Sequence, residues 1–405
     1  MHVLDELAER GFVKQTTGLH ALRAALDDGP ITFYVGLDPT ADSLHIGHTV
    51  PLMAAWVLQQ AGHIPIVIFG GGTAMIGDPS GKTEMREMIT VEQIERNVEG
   101  IRAQAGHLLN LDGSAGIGVN NADWIRPLNY IAFLRDIGRH FSVNRMLAAE
   151  AYKQRLETGL SFIEFNYQLL QAYDFLTLHQ RHGCILQIGG DDQWGNILAG
   201  TDLIRRVEGH EAPAHGLTFP LITTASGAKM GKTAKGAVWL DPARTSPFDF
   251  YQYWINVDDR DVGRMLRLFT TLSLDRIVAL EGLSGAAVND AKRELAWQVT
   301  ARIHGSGEAN RARDAARAMV AGAASDDMPT HTVTTLDDLT VVAALADSGL
   351  CKSRGEARRL INGGGVRVNG DKIGEDGPFL ASWLTDGEAV LRVGKKRAVR
   401  LKVQG

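Results

Sequence analysis

Cysteine is nearly missing from this chain: 405 residues hold 2, Cys184 and Cys351. A disulfide framework is excluded, and a reducing, cytoplasmic compartment is the expectation. Long apolar runs are missing too. No stretch approaches the ~20 apolar residues of a membrane span. The opening MHVLDELAERGFVKQ has no apolar core of the kind an export signal needs. No HExxH frame occurs, and His45 and His48 have no carboxylate or cysteine partner nearby in sequence, so no protein-bound metal is expected. What is present is ordinary for a folded protein: 44% hydrophobic and 22% charged residues, enough for two to four domains with full cores.

The net charge of −5 conceals an asymmetry. From residue 351 on, 12 Lys and Arg face 6 Asp and Glu, which leaves the tail at +6 and the remainder at −11. An acidic body with a basic end suggests that the end meets a polyanion.

Apolar runs ITFYVGL (31–37), IPIVIFGG (64–71), GCILQIGG (183–190) and LTFPLI (217–222) alternate with helical patterns. This favours an α/β fold with a doubly wound parallel sheet, whose ligands sit at the carboxyl ends of the strands. The stretch 129–181 is mostly helical and long for a crossover, so it reads as an insertion in a catalytic domain spanning 1–244. Residues 245–320 read as an all-helical domain. The small, polar stretch 321–335 reads as a flexible linker, and 336–405 as a compact α+β unit.

Three short segments invite chemistry. In LDPTADSLHIGH, Asp42 and Ser43 precede an apolar run, a helix N-terminus whose amides attract anions. His45 and His48 would add donors there, and Gly47 would let a flat ligand approach the backbone; solvated or structural histidines are the plain alternative. GDPSGKT (77–83) tempts a phosphate-loop reading, but Ile76 stands where that loop needs glycine and Pro79 removes an amide. Either it is a surface turn, or Asp78, Lys82 and Arg86 face a charged substrate. SGAKMGKT (226–233) sets Lys229 and Lys232 in a glycine-bounded segment, which by itself is most simply a solvated loop. Tyr167, Gln171 and Asp174 share one helical face, by itself most simply a solvated stripe.

Taken together, HIGH after the first strand and KMGKT after the last resemble the paired signatures of class I aminoacyl-tRNA synthetases. YVGLDPTADSLHIGH, GDPSGK, HFSVN, QIGGDDQWGN and RTSPFDFYQYW are similar to bacterial tyrosyl-tRNA synthetases over nearly the whole chain. SRGEARRLINGGGVRVNG resembles the S4 RNA-binding module that ends those enzymes. The resemblance implies a Rossmann-like catalytic domain, tyrosine and ATP (with Mg2+) as substrates, tRNA(Tyr) as partner and a homodimer. It implies that Tyr34 and Asp174 hold the substrate hydroxyl, and that Asp78, Tyr167 and Gln171 hold its ammonium. Gln187, Asp192 and Gln193 would contact carboxylate or ribose, and Gly36, Asp38 and Gly47 the nucleotide. Thr40 and His45 would meet the leaving phosphates and His48 the nucleotide, with Lys82, Arg86, Lys229, Lys232 and Thr233 completing the clamp. Arg354, Arg358, Arg359, Lys395 and Lys396 would face RNA.

Two departures stand out. Val35 replaces a cysteine that touches the ribose in some relatives, and Asp191 stands where relatives often have serine. Two other readings compete: a small-molecule nucleotidyltransferase, which would not need the basic tail, and an RNA-binding protein that has lost catalysis. Intact His45, His48, Lys82, Lys229 and Lys232 argue against the second.

Overall fold

The structure, a computed structural model, describes residues 1–404 except 81–88, 149, 226, 228–229, 231, 234–235 and 395–396. Lys82, Arg86, Lys229, Lys395 and Lys396 therefore lie outside the described residues, and Lys232 and Thr233 are described by backbone alone. The chain divides into two compact units, Met1–Asp241 with Gly263–Val278, and Pro242–Val262 with Ala279–Gly405.

The first unit begins with α1 (Val3–Arg10), β1 (Gln15–Thr16) and α2 (Leu19–Asp27). Then come β2 (Thr32–Leu37), α3 (Ile46–Gln60), β3 (Ile64–Phe69), α4 (Val91–Leu108) and β4 (Ile117–Asn120). The insertion holds α5 (Ala122–Ile125), α6 (Tyr130–Asp136), α7 (Val143–Leu147), α8 (Glu150–Thr158) and α9 (Phe162–His182). Strand β5 (Cys184–Gly190), α10 (Trp194–Glu208) and β6 (His215–Phe219) complete the sheet. A small hairpin follows, β7 (Lys232–Thr233) with β8 (Gly236–Ala237).

The sheet order is β1-β6-β5-β2-β3-β4, and only β1 runs antiparallel. β2 and β3 are apolar because both faces are covered. The winding direction reverses between β2 and β5, so a crevice opens beyond their carboxyl ends. α9 starts on a Ser161/Glu164 capping box and stops at Gly183 in the left-handed region. That fixes which of its faces meets β2, where Phe175 packs edge-on against Tyr34.

Three sequence expectations shift. The strand expected at 217–222 runs His215–Phe219 instead, since Pro220 cannot donate to a ladder. β1 and β4, at two and four residues, are too short for a periodic signal. Residues Gly263–Val278, expected in the helical domain, fall in the first unit. The buried Arg10 explains this: its guanidinium donates to the carbonyls of Arg267, Thr270 and Leu272. The stretch carries most of α12 (Val262–Phe269) and part of α13 (Leu274–Glu281).

In the second unit, α11 (Pro247–Ile255), α14 (Val288–His304) and α15 (Ser306–Ala321) pack together around the buried Phe250, Tyr251 and Trp254. β9 (Thr330–Val333), α16 (Val341–Asp347), α17 (Arg354–Asn362) and strands β10 (Val366–Val368), β11 (Asp371–Ile373), β12 (Glu388–Val393) and β13 (Arg397–Val403) follow. Their sheet order is β11-β10-β12-β13-β9, and Asn369 and Gly370 form the positive-φ hairpin turn between β10 and β11.

Here the flexible-linker reading of 321–335 is corrected. β9 lies inside it, paired in parallel with β13, and Met328 is buried. The guanidinium of Arg400 adds an ion pair to Asp326. The β-branched alternation THTV outweighs the polar composition around it. Among the described residues, no helix is long and apolar enough to cross a membrane.

Candidate active site

The crevice between β2 and β5 is a cavity of about 660 Å³. Its lining includes every fully described residue expected in the catalytic centre, from Tyr34 in β2 to Gln193 after β5. Lys232 and Thr233 form β7, and the remaining expected residues lie outside the described set.

At one end of the cavity Tyr34, Gln187 and Asp174 converge, each no more than 3% exposed. Tyr34 and Gln187 are register partners on β2 and β5, so they share a sheet face. Tyr34 Oη and Gln187 Oε1 have no hydrogen-bond partner among the described residues. Buried polar atoms are normally satisfied, so both oxygens have hydrogen-bonding capacity to spare on the cavity wall. Burial pushes the Tyr34 phenol up, and nearby Asp174 pushes it further.

Burial likewise raises the Asp174 carboxyl to about 7, against the donations of Asn121 and Trp124, with Asp38 raising it further. Asn121 Nδ2 donates to Asp174 Oδ2 at 2.9 Å, and Trp124 Nε1 to Oδ1 at 2.7 Å. Asn121 and Trp124 escaped the sequence reading. Trp124 stands on a four-residue helix with no periodicity and Asn121 just before it, some 50 positions from Asp174. A usable signal was an Asn and a Trp one turn apart just beyond a short β-like run.

Next to this pair lies a polar network. Tyr167 Oη donates to Asp38 Oδ2 at 2.9 Å, and Thr73 Oγ1 to Asp38 Oδ1 at 3.1 Å. Asp78 accepts from Gln193 Nε2 at 2.8 Å and from the Ser80 amide at 2.9 Å. Asn196 Nδ2 donates to the Oε1 atoms of Gln171 and Gln193, both at 3.1 Å. Two carboxylates and several amides thus face a common space, a setting for an ammonium and hydroxyls. Thr73, Ser80 and Asn196 also escaped the sequence reading, being ordinary polar residues in loops and on a helix.

The opposite side is built by HIGH. His45 caps α3: the Gly47 amide donates to His45 Nδ1 at 3.0 Å, and the His45 amide to His48 Nδ1 at 3.1 Å. With both Nδ1 atoms accepting, each neutral ring carries its proton on Nε2. The rings stack with centroids 3.9 Å apart. A Cβ at Gly47 would stand 2.8 Å from His45 Cε1, so glycine is needed by the cap itself as well as by any approaching ligand. The chain just after the second signature lies against the first. Trp239 bridges His45, and the Ile46 amide donates to the Val238 carbonyl. Met230 lines the same cavity.

Of the two departures, Val35 is 1% exposed and lines the cavity as an apolar wall. Asp191 has a structural occupation: its Oδ1 accepts from Gln15 Nε2 at 2.7 Å and Thr218 Oγ1 at 3.1 Å, tying β1 and β6 to the turn before α10.

Residues 26–321 match the family described as tRNA synthetases class I (W and Y), and residues 320–399 the tyrosine--tRNA ligase SYY-like C-terminal domain. A tyrosine--tRNA ligase of Clostridium beijerinckii is 48% identical and one of Clostridium botulinum 50% identical, each over 100% of both chains. Among solved structures, a C-terminally truncated mitochondrial tyrosyl-tRNA synthetase of Aspergillus nidulans aligns with a TM-score of 0.69 at 28% identity, over 78% of this chain and 93% of that one. Half the residues are shared with such relatives from end to end, and the chain belongs to the tyrosine--tRNA ligases, the class I aminoacyl-tRNA synthetases that charge tRNA(Tyr).

Proposed function

We propose that the β2/β5 crevice makes tyrosyl-adenylate from tyrosine and ATP, its side chains dividing the two substrates between them. The observation that carries this reading is the buried pair of Tyr34 and Asp174, whose oxygens match a phenol. Asp78, Tyr167 and Gln171 take the substrate ammonium. Gln187, Asp192 and Gln193 take carboxylate and ribose, and the nucleotide lies against Gly36, Asp38 and Gly47. Thr40 and the Nε2–H groups of His45 and His48 donate to nucleotide and phosphates. Lys82, Arg86, Lys229, Lys232 and Thr233 complete the clamp. Mg2+ enters with the triphosphate it neutralises.

The substrate carboxylate is itself the nucleophile at the α-phosphorus, and pyrophosphate leaves. Catalysis therefore needs alignment and charge stabilisation, and no side-chain nucleophile. ATP–pyrophosphate exchange with each of the twenty amino acids tests the reading. Tyrosine alone should support rapid exchange, and equal exchange with phenylalanine or tryptophan would overturn it.

The tail reading places Arg354, Arg358 and Arg359 of α17, with Lys395 and Lys396, against the phosphates of tRNA(Tyr). All three arginines are exposed on one short helix.

The chain works as a homodimer in the cytoplasm. Support comes from Tyr130, Ile131 and Phe162 in the insertion, exposed to 55%, 71% and 70%. Ile131→Asp is expected to give a monomer in sedimentation at micromolar concentration where the parent sediments as a dimer. A monomeric parent would remove this claim.

A further inference from the structure

α9 brings a cation to the back of the tyrosine pocket. Arg181, exposed in the last turn of that helix, sets its guanidinium carbon 5.5 Å from the centre of the Trp124 ring. Trp124 is only 6% exposed, and its Nε1 donates to Asp174 Oδ1 at 2.7 Å. A cation on an indole face is held by the ring quadrupole and withdraws electron density from the ring. The withdrawal strengthens the Nε1–H donor at the edge of the same ring.

We propose that Arg181 is a positioning residue for tyrosine recognition, acting through the Trp124 indole to keep Asp174 an ionised acceptor for the substrate hydroxyl. This rests on the reading of Asp174 as that acceptor. The other groups facing Asp174 leave it short of positive charge. Asn121 donates as a neutral amide, Tyr34 is a neutral phenol on β2, Tyr167 another on the same helix, and Asp38 repels. Burial favours the protonated form, so any weakening of Trp124 as a donor moves Asp174 further toward it.

The experiment is the KM for tyrosine in pyrophosphate exchange from pH 6 to 8.5, for the parent, Arg181→Gln and Arg181→Lys. The parent KM should rise as pH falls and Asp174 takes up its proton. In Arg181→Gln that rise should begin at higher pH, making KM about threefold larger near pH 7, which is about 0.7 kcal/mol at 1.4 kcal/mol per tenfold. The two curves should merge at pH 8.5, with kcat unchanged, and Arg181→Lys should recover most of the difference. A KM increase of the same size at every pH means lost packing and overturns the proposal. So does an Arg181→Gln profile that superimposes on the parent. A parent KM that is flat with pH removes the Asp174 reading and the proposal with it.

Discussion

Asp174→Asn should lower kcat/KM for tyrosine in pyrophosphate exchange by between about 10² and 10³, while relieving the empty protein of a burden. A hydrogen bond to a charged group contributes about 1.5–3 kcal/mol, and a buried group left without its partner costs about 1–3 kcal/mol more. The variant also turns an amide NH2 toward Asn121 or Trp124, which both donate.

The stability effect has the opposite sign. The native carboxyl binds its proton up to about 7, whereas its ordinary value is 3.8. Between roughly pH 4 and 7 the native state therefore holds a proton that the unfolded chain has lost, and stability falls as pH rises. The asparagine variant lacks this slope. The difference in unfolding free energy between variant and parent should move in the variant's favour by a few kcal/mol from pH 4 to 7.5, with ~1.4 kcal/mol for each pH unit as the upper limit. Denaturant melts at several pH values measure it. Exchange within tenfold of the parent, or parallel pH dependences, would show that Asp174 is neither the phenol acceptor nor a strained carboxyl.

Removing residues 324–405 should leave tyrosine-dependent exchange within about threefold of the parent and reduce tRNA charging by at least about 10². The C-terminal sheet has a core of its own, including Leu345, Ile361, Val366, Leu391 and Leu401, so its loss need not open the catalytic cavity. The cut must fall before Asp326. A cut after 335, at the end of the apparent linker, would strand β9 without its partner β13 and leave Met328 uncovered. Each RNA phosphate that the shortened protein no longer touches flattens the salt dependence of binding by about 0.7–0.9 in the log–log slope. Equal slopes for full-length and truncated protein would show that the arginines of α17 do not touch RNA. Lost exchange would show that the sheet supports the catalytic unit.

The sequence carried much of the catalytic unit because its signals are local. Apolar strands ending in glycines, a capped helix after β2 and an i, i+4, i+7 face on α9 each occupy a few consecutive turns. What escaped was arranged by tertiary structure. Asn121 and Trp124 matter because β4, ending at Asn120, delivers them to Asp174 on α9. Arg10 matters because three carbonyls beyond residue 266 gather round it. β9 looked like a tether since its neighbours are polar, and its partner is some seventy residues away. Asp191 is explained in the same way: its partners Gln15 and Thr218 come from two strands, β1 and β6.

That distant partnership bears on how the C-terminal sheet assembles. β10 pairs with β11, and β12 with β13, across a few residues of sequence, and β10 meets β12 across the stretch that holds β11, whereas β9 waits for a strand whose Arg400 sits opposite Thr330. Closing so long a loop is slow compared with zipping a hairpin. During synthesis β9 leaves the ribosome first and stays unclaimed until β13 follows. In that interval β9 presents bare amides and carbonyls to any other nascent chain. The ion pair from Arg400 to Asp326, just upstream of β9, spans the same gap and favours the intramolecular partner over a neighbour's.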